Sequence, residues 1–252
     1  MFNPFDHPFL ILVVTFLLFG AAAWTGRIWY KRGVEDDVHG EEFRFILGGT
    51  LTLLGLLIAF TFSMAVSRYD QRKNYEEQEA NAIGTEYLRA DLLPATDAAK
   101  IRRLLTSYLD QRIREYRARN KQQLRQIDDQ TTRLQAELWS AVTAPTAAQP
   151  TPVAALVLAG MNDVLNSQGY TQAAWWNRVQ IEGWALMALI SIFCNLLVGY
   201  GSHGKKAFVL LILPVALSIS LFLISDIDSP RSGVIHVRPQ NLESLAESLH
   251  SQ

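Results

Sequence analysis

FILGGTLTLLGLLIAFTFSMAV, residues 45–66, decides the fold of this 252-residue chain. The stretch contains no charged residue, and a helix of about 20 apolar residues is long enough to cross the hydrocarbon core of a bilayer. Further apolar windows of similar length lie at 8–25, 182–200 and 207–225. The alternative, four buried core helices of a soluble protein, would be unusual in one chain. We therefore predict an all-α integral membrane protein with four transmembrane helices.

The first window has a second interpretation as a secretory signal peptide, because Ala21, Ala22 and Ala23 resemble a cleavage site. A signal peptide begins with basic residues. The preceding segment, MFNPFDHP, contains Asp6 and no Lys or Arg. We expect a retained transmembrane helix.

The four predicted spans form two hairpins, and the polar stretch 67–178 between them is too long for a loop. We predict an extramembrane antiparallel helical domain inserted between the second and third spans. The predicted domains are a transmembrane hairpin at 1–66, the helical domain at 67–178, a second transmembrane hairpin at 179–225 and a tail at 226–252. Lys and Arg are equally numerous near both ends of the spans, so the sequence leaves the orientation open.

Helix boundaries outside the spans follow from Pro and capping residues. The second span is expected to continue without a break until Pro94. One long helix, capped by Thr96 or Asp97, is expected to follow and to end in the proline-rich segment 144–152. In the tail, Asn241 is expected to cap a short amphipathic helix.

Six basic residues crowd one face of that long helix between Arg112 and Arg125. A nucleic-acid surface is one interpretation, but acids such as Asp110 and Glu115 flank the run and dilute its field. The net charge of the whole chain is −1. We interpret the run as a solvated face and expect no nucleic-acid partner.

The stretch VGYG, residues 198–201, spells the core of a potassium-channel filter, and Gly199, Gly201 and Gly204 spell GxGxxG. A filter is a re-entrant loop, whereas this motif ends a full-length span. A dinucleotide fingerprint needs a preceding strand, and none is predicted here. We interpret the glycines as a turn between two membrane helices.

Motifs of enzymes and metal sites do not occur in the sequence. The five histidines are scattered, Cys194 is the only cysteine, and HExxH, Walker A and GxSxG sequences are absent. We therefore expect no catalytic residue, no metal site and no cofactor, and we predict that the protein is not an enzyme.

Small and hydroxyl residues recur at steps of three or four along the second span, which places them on one helical face. This small-residue face consists of Gly48, Thr52, Gly55, Ala59, Ser63 and Ser67. Close helix packing is one interpretation. The other is a pore wall in a ring of subunits, with Phe60 or Phe62 as an apolar constriction.

Charged residues follow the second span and the fourth. They are Arg68, Asp70, Arg72, Glu76, Glu79, Glu86, Arg89 and Asp91 after the second span, and Asp226, Asp228 and Arg231 after the fourth. Rings of such side chains at a pore mouth would influence ion preference. Alternatively they form ion pairs, for example between Asp226 or Asp228 and Arg68, Arg72 or Arg89, that tie the second and fourth helices together.

Three stretches, FTFSMAVSRYD (60–70), EEQEANAIGTEYLRADLLP (76–94) and DIDSPRSGVIHV (226–237), resemble the hallmarks of the bestrophin-like domain family. These are mostly bacterial four-span membrane proteins. The family's characteristic positions would be Glu79, Asn81, Gly84, Tyr87, Arg89, Asp91, Asp226, Arg231 and Gly233. The resemblance implies kinship to bestrophins, which are pentameric ion channels lined by their second membrane helix. In place of their repeated-phenylalanine neck, this sequence has Phe60-Thr61-Phe62.

Two hypotheses follow. The first is a homo-oligomeric, pentameric channel of the bacterial inner membrane, with lipid, inorganic ions and its own copies as partners. The alternative is a non-conducting membrane scaffold or sensor whose helical domain recruits a partner protein.

Overall fold

The computed structural model describes residues 7–32, 40–202 and 208–251, with the side chains of 30–32 excepted. This part of the chain contains α-helices and no strand, so the all-α prediction is confirmed. The helices are α1 (Pro8–Arg32), α2 (Gly40–Arg89), α3 (Ala95–Arg117), α4 (Lys121–Ala148), α5 (Pro152–Trp176), α6 (Ile181–Tyr200), α7 (Val209–Asp228) and α8 (Gln240–His250).

Four segments of the described chain are long and apolar enough to cross a membrane, as predicted. They lie within Pro8–Trp29, Gly40–Leu92, Pro152–Tyr200 and Val209–Asp228, and the uncharged part of the second of these ends before Arg68.

The continuation of the second span is confirmed, because α2 is a single helix of 50 residues. A 3₁₀ turn, Ala90–Leu92, follows it. Leu93 is extended, with ψ at 164°, as expected for a residue before proline. The predicted cap is wrong: Pro94 occupies the N-cap position of α3 without a side-chain hydrogen bond, and Thr96 and Asp97 lie in the first turn.

The single long helix predicted after Pro94 is also wrong. Extended backbone at Ala118 and Asn120 separates α3 from α4, and the Asn120 side chain accepts a hydrogen bond from the Gln122 N–H at 2.9 Å. Helix α4 then passes through Pro145, so the break expected at 144–152 is confined to residues 149–151.

The VGYG stretch lies where α6 ends. Val198, Gly199 and Tyr200 belong to the last turn of the helix, and Gly201 is its C-cap residue. Gly199 packs against the Ala23 carbonyl of α1, where a Cβ atom would overlap the backbone. Residues 203–207, including Gly204, lie outside the described residues.

The chain divides into two compact units, each described by itself. The first unit comprises the described residues up to Arg68 together with Arg178–His236. In it, α1 packs against α6 and α7. Gly26 of α1 meets the Leu196 carbonyl of α6, a close approach that small residues permit between membrane helices.

The second unit comprises Tyr69–Asn177 and the described residues from Val237 onward. Here α3 packs against α4 and α8, and α4 packs against α5. Leu105, Leu109, Leu138 and Met161 form part of one continuous, fully buried core. The tail predicted as one segment is thus divided between the two units.

Candidate functional site

The small-residue face of α2 is exposed in the single chain at all six predicted positions: Gly48, Thr52, Gly55, Ala59, Ser63 and Ser67. On the opposite side of the helix, Leu54 and Ala65 are buried. No described atom outside the helix lies within 4 Å of a Cβ built at Gly48 or Gly55. Packing within the described part of the chain therefore does not account for this face. Packing against another subunit and contact with water are the remaining interpretations.

Both constriction candidates border the small-residue face. Phe60 is 64% exposed and Phe62 is 39% exposed. At 100° per residue the two lie on opposite sides of the face, Phe62 about 70° and Phe60 about 90° from its middle.

The exposed face continues into the second half of α2 with the same helical spacing. Its members there, at steps of three or four after Ser67, are Asp70, Asn74, Glu77, Asn81 and Thr85, all exposed. Lys73, also exposed, lies about 60° to one side of Asp70 at 100° per residue. This row therefore holds two carboxylates and two amides, with a single cation at its edge.

Four of the eight charges predicted after the second span lie on the opposite, buried face of α2. Arg72, Glu76, Glu79 and Glu86 are each at most 1% exposed. Buried charges require pairing or hydrogen bonds, so this burial favours the interhelix interpretation over a ring at a pore mouth. Asp91 is exposed and pairs with Arg102 of α3 at 2.5 Å.

A buried ionic cluster joins α2, α3 and α5. The Arg112 guanidinium donates to both oxygens of Glu79 and to Glu115, and the Thr171 hydroxyl donates to Glu79 Oε2 at 3.2 Å. Burial raises the pKa of Glu79, and Arg112 opposes this rise. Burial would lower the pKa of Arg112, but Glu79 and Glu115 outweigh it and raise the pKa.

Arg112 belongs to this buried cluster. The prediction that it lies on the solvated face is wrong. The signal was present in the spacing. Leu105, Tyr108, Arg112 and Tyr116 follow at steps of three and four, so Arg112 continues the apolar stripe rather than the basic one.

Glu76 binds the N-terminus of α8. Its Oε1 accepts the backbone N–H groups of Asn241 at 2.9 Å and Leu242 at 3.0 Å, and its Oε2 accepts the Asn241 side-chain amide at 2.6 Å. The predicted Asn241 cap is therefore wrong: Pro239 holds the N-cap position, and Glu76 supplies the acceptor from another helix. A carboxylate at a helix N-terminus is favourable to the helix dipole.

Glu86 differs from these two carboxylates. Both its oxygens are buried without a hydrogen-bond partner among the described residues. The carboxylate and the Arg89 guanidinium lie against Gly160 of α5. Burial raises the pKa of Glu86 to about 8; Arg89 opposes the rise and Asp163 adds to it.

The two acids in the last turn of α7 each bind backbone N–H groups within the first unit. Asp226 accepts from Val234 and Ile235, both at 2.8 Å. The turn they close contains Gly233 at a φ of +100°, a conformation that favours glycine.

Asp228 accepts the Val179 N–H with both oxygens, at 3.2 and 3.1 Å. Arg68 Nη1 and Arg178 Nε each lie 3.6 Å from it. Arg231 is half-buried in the same segment. Asp228 therefore joins the end of α7 to α2 and to the segment before α6.

Comparisons with known proteins agree on the fold. A sequence model of the Bestrophin-like domain matches residues 13–242. The comparison with curated proteins gives no match. Among solved structures, the chain is similar to a bacterial bestrophin homologue from Klebsiella pneumoniae at 14% identity, with a TM-score of 0.69 over 96% of this chain and 97% of the homologue. Two single-substitution variants of that homologue give TM-scores of 0.69, over 95% and 98% of the two chains, and 0.68, over 97% and 98%.

Proposed function

The chain belongs to the Bestrophin-like domain family, and from this premise we propose that it forms a homo-oligomeric ion channel of the bacterial inner membrane. Helix α2 lines the pore, and a pentamer is the assembly that the family resemblance favours. Lipid surrounds the assembly, and inorganic ions pass through it.

The observation that carries this proposal is the uncovered small-residue face of α2. Gly, Ala, Ser and Thr leave room for water, and the hydroxyls of Thr52 and Ser63 offer oxygen atoms to a passing ion. In a ring of subunits the same face, repeated by the symmetry, would surround the axis. Phe60 supplies the apolar constriction in this arrangement, because its side chain is the more exposed of the two candidates.

The exposed row in the second half of α2 favours cations. Repeated around an axis, Asp70 and Glu77 form two rings of carboxylates, and fields of one sign concentrate counter-ions in a narrow passage. Lys73 lies to the side of this row, and the buried carboxylates Glu76 and Glu79 are bound within the chain.

Bilayer recordings on the reconstituted, full-length oligomer test the proposal. Ser63→Trp and Ala59→Trp are expected to abolish the conductance by filling the pore. Met64→Trp is the matched control: it adds the same side chain about 100° away from Ser63 on the same helix and should conduct. A purified oligomer that passes no ion, or equal conductance in all variants, would contradict a pore lined by α2.

The second candidate is a non-conducting scaffold or sensor. The observation that favours it is the exposed aromatic surface of α5, where Trp176 is 74% and Tyr170 is 55% exposed. Large exposed aromatic side chains are common at interfaces with partner proteins. This candidate is supported if the oligomer does not conduct and if Trp176→Ala removes capture of one defined protein.

A further inference from the structure

Glu86 is buried in the second unit without the hydrogen bonds that a buried charge needs. Its side chain is fully buried, and neither oxygen has a donor among the described residues. An ionised carboxylate in such a place is costly, because it gives up hydration and gains no hydrogen bond in exchange. A neutral, protonated carboxyl group costs far less.

The other two buried glutamates of the same helix show what an ionised carboxylate requires here. Glu76 accepts three hydrogen bonds from Asn241 and Leu242. Glu79 accepts from Arg112 and Thr171. Burial alone therefore does not set Glu86 apart; the lack of donors does.

The surface that covers Glu86 belongs to α5. Glu86 Oε2 lies against Gly160, which has no side chain and so leaves room for the carboxyl group. Asp163, one turn further, is the only charged residue of α5, and it disfavours a second negative charge. Helix α5 thus offers no cation to an ionised Glu86.

The single nearby cation is on the same helix as Glu86. Arg89 Nη1 also lies against Gly160, and no ion pair joins it to the Glu86 carboxylate in the described structure. In the adjoining 3₁₀ turn, Asp91 is already paired with Arg102. Glu86 Oε2 and Arg89 Nη1 lie close to the same point beside Gly160, so they are near each other, and pairing Arg89 with an ionised Glu86 would move them from their present places by a small shift of the two side chains.

We propose that Glu86 is a proton-binding switch at the contact between α2 and α5. With a proton on its carboxyl group, α2 packs closely against Gly160. When the proton leaves to solvent, the carboxylate must gain water or move onto Arg89, and either change displaces atoms that lie against Gly160 and alters the contact. Because α2 is one continuous helix, this change acts on the element that lines the pore, a consequence that rests on the proposed function.

The direction of the pH dependence follows from the pKa of Glu86, which burial raises from 4.5 to about 8. The folded protein holds this proton where the unfolded chain has lost it, so the stabilisation is complete below the unfolded pKa. It is lost progressively as the pH rises through the folded pKa.

The first measurement is the thermal unfolding of the full-length oligomer between pH 5 and 9.5. Glu86 should contribute a decrease in Tm of up to about 3 °C per pH unit below pH 8. Glu86→Gln, which mimics the protonated group, should remove this part of the decrease. Glu137→Gln, an exposed residue of α4, should retain it. An unchanged pH dependence in Glu86→Gln overturns the proposal.

The second measurement observes carboxyl protons directly, and because burial also raises the pKa of Glu79, the signal of Glu86 is the part that Glu86→Gln lacks. The infrared band of a protonated carboxylic acid should persist in wild-type protein at pH 7 and disappear with a midpoint near pH 8. Over the same range, hydrogen-exchange protection of the α5 amides around Gly160 should decrease. A carboxyl band already lost at pH 6, or α5 protection that does not change, overturns the switch.

Conductance separates this proposal from the channel proposal. In a conducting oligomer the current should change with a midpoint near pH 8, and Glu86→Gln should abolish that change. A constant current while Glu86 titrates overturns the coupling to the pore. A non-conducting oligomer overturns the proposed function, and the infrared and exchange measurements then still decide whether Glu86 is a proton switch.

Discussion

Along the 50 residues of α2, the buried face holds Arg72, Glu76, Glu79 and Glu86, whereas the exposed face of its first half holds glycine, alanine and hydroxyl residues. In a soluble helix the charged residues would lie outside and the small apolar residues inside. The reversal separates two kinds of constraint. Charges on the buried face need partners within the chain. The small residues on the exposed face can make their contacts only in the assembled oligomer.

The buried face consequently fixes how the second unit folds. Two of its carboxylates bind particular neighbours: Glu79 binds Arg112 of α3, and Glu76 binds the start of α8. Misplaced partners would leave a buried charge unpaired, which is among the more expensive errors in a protein core. The exposed face imposes no such requirement on the single chain, so variants there should affect conduction rather than folding.

Among the variants of the buried face, Arg112→Ala should have the largest effect on the free energy of unfolding. It leaves Glu79 and Glu115 buried without their shared cation, which should lower the free energy of unfolding by about 3–5 kcal/mol. Arg114→Ala, an exposed neighbour on α3, is the control and should change it by less than about 0.5 kcal/mol. Chemical unfolding of the solubilised oligomer measures both. Equal effects would mean that the cluster does not hold the second unit together.

Glu76→Ala should have the next largest effect, because α8 loses the acceptor at its N-terminus. A lost N-terminal cap costs about 1–2 kcal/mol. The loss should be local, with faster hydrogen exchange in α8 and little change in α4. Glu77→Ala removes an exposed carboxylate from the same turn of α2 and should leave α8 protected. If both variants expose α8 equally, the Glu76 contacts are not what anchors it.

The sequence was sufficient for the features that depend on local pattern. Four apolar windows, with Glu182 as their single charged residue, predicted four apolar helices, and the lack of Pro between Ser67 and Pro94 predicted the continuation of α2. The break between α3 and α4 was missed because Ala118-Arg119-Asn120 contains neither Pro nor Gly, and Asn120 alone signals a helix start. The sequence pattern therefore predicts that a helix is present better than it predicts the residues at which the helix begins and ends.

The sequence identified these charged residues as candidates, but it did not predict which of them are buried or which groups they contact. Glu76 meets Asn241 across 165 residues of chain, and no local periodicity encodes such a pairing. Glu79 and Arg112 were each visible in the sequence, but the abundance of neighbouring Arg and Glu suggested a solvated rod. Only the helical phase relative to Leu105 and Tyr108 distinguishes the buried arginine from the exposed ones.

Gly160→Ala tests the contact between α5 and Glu86. It should change the free energy of unfolding less than Arg112→Ala or Glu76→Ala. The new Cβ would overlap Glu86 Oε2 and Arg89 Nη1, both at the ends of flexible side chains, at a cost of about 1 kcal/mol. The better helix propensity of alanine offsets part of it. Gly169→Ala on the same helix, where a Cβ would meet nothing within 4 Å, should be stabilising by about 0.5–1 kcal/mol. Thermal unfolding compares the two; equal shifts would show that Glu86 does not occupy the space at Gly160.

The double variant Asp70→Asn, Glu77→Gln should have the smallest effect on folding, within about 0.5 kcal/mol, because both side chains are exposed. Its effect should fall on selectivity. Under a potassium chloride gradient, the reversal potential of wild-type channels should lie toward the cation equilibrium potential, and the variant should shift it toward zero because the carboxylate rings are gone. Glu137→Gln removes an exposed acid outside α2 and should leave the reversal potential unchanged. A wild-type preference for chloride, or an unchanged potential in the double variant, would mean that the exposed row of α2 does not face the ions, and the contrast between the two faces would then concern packing between subunits alone.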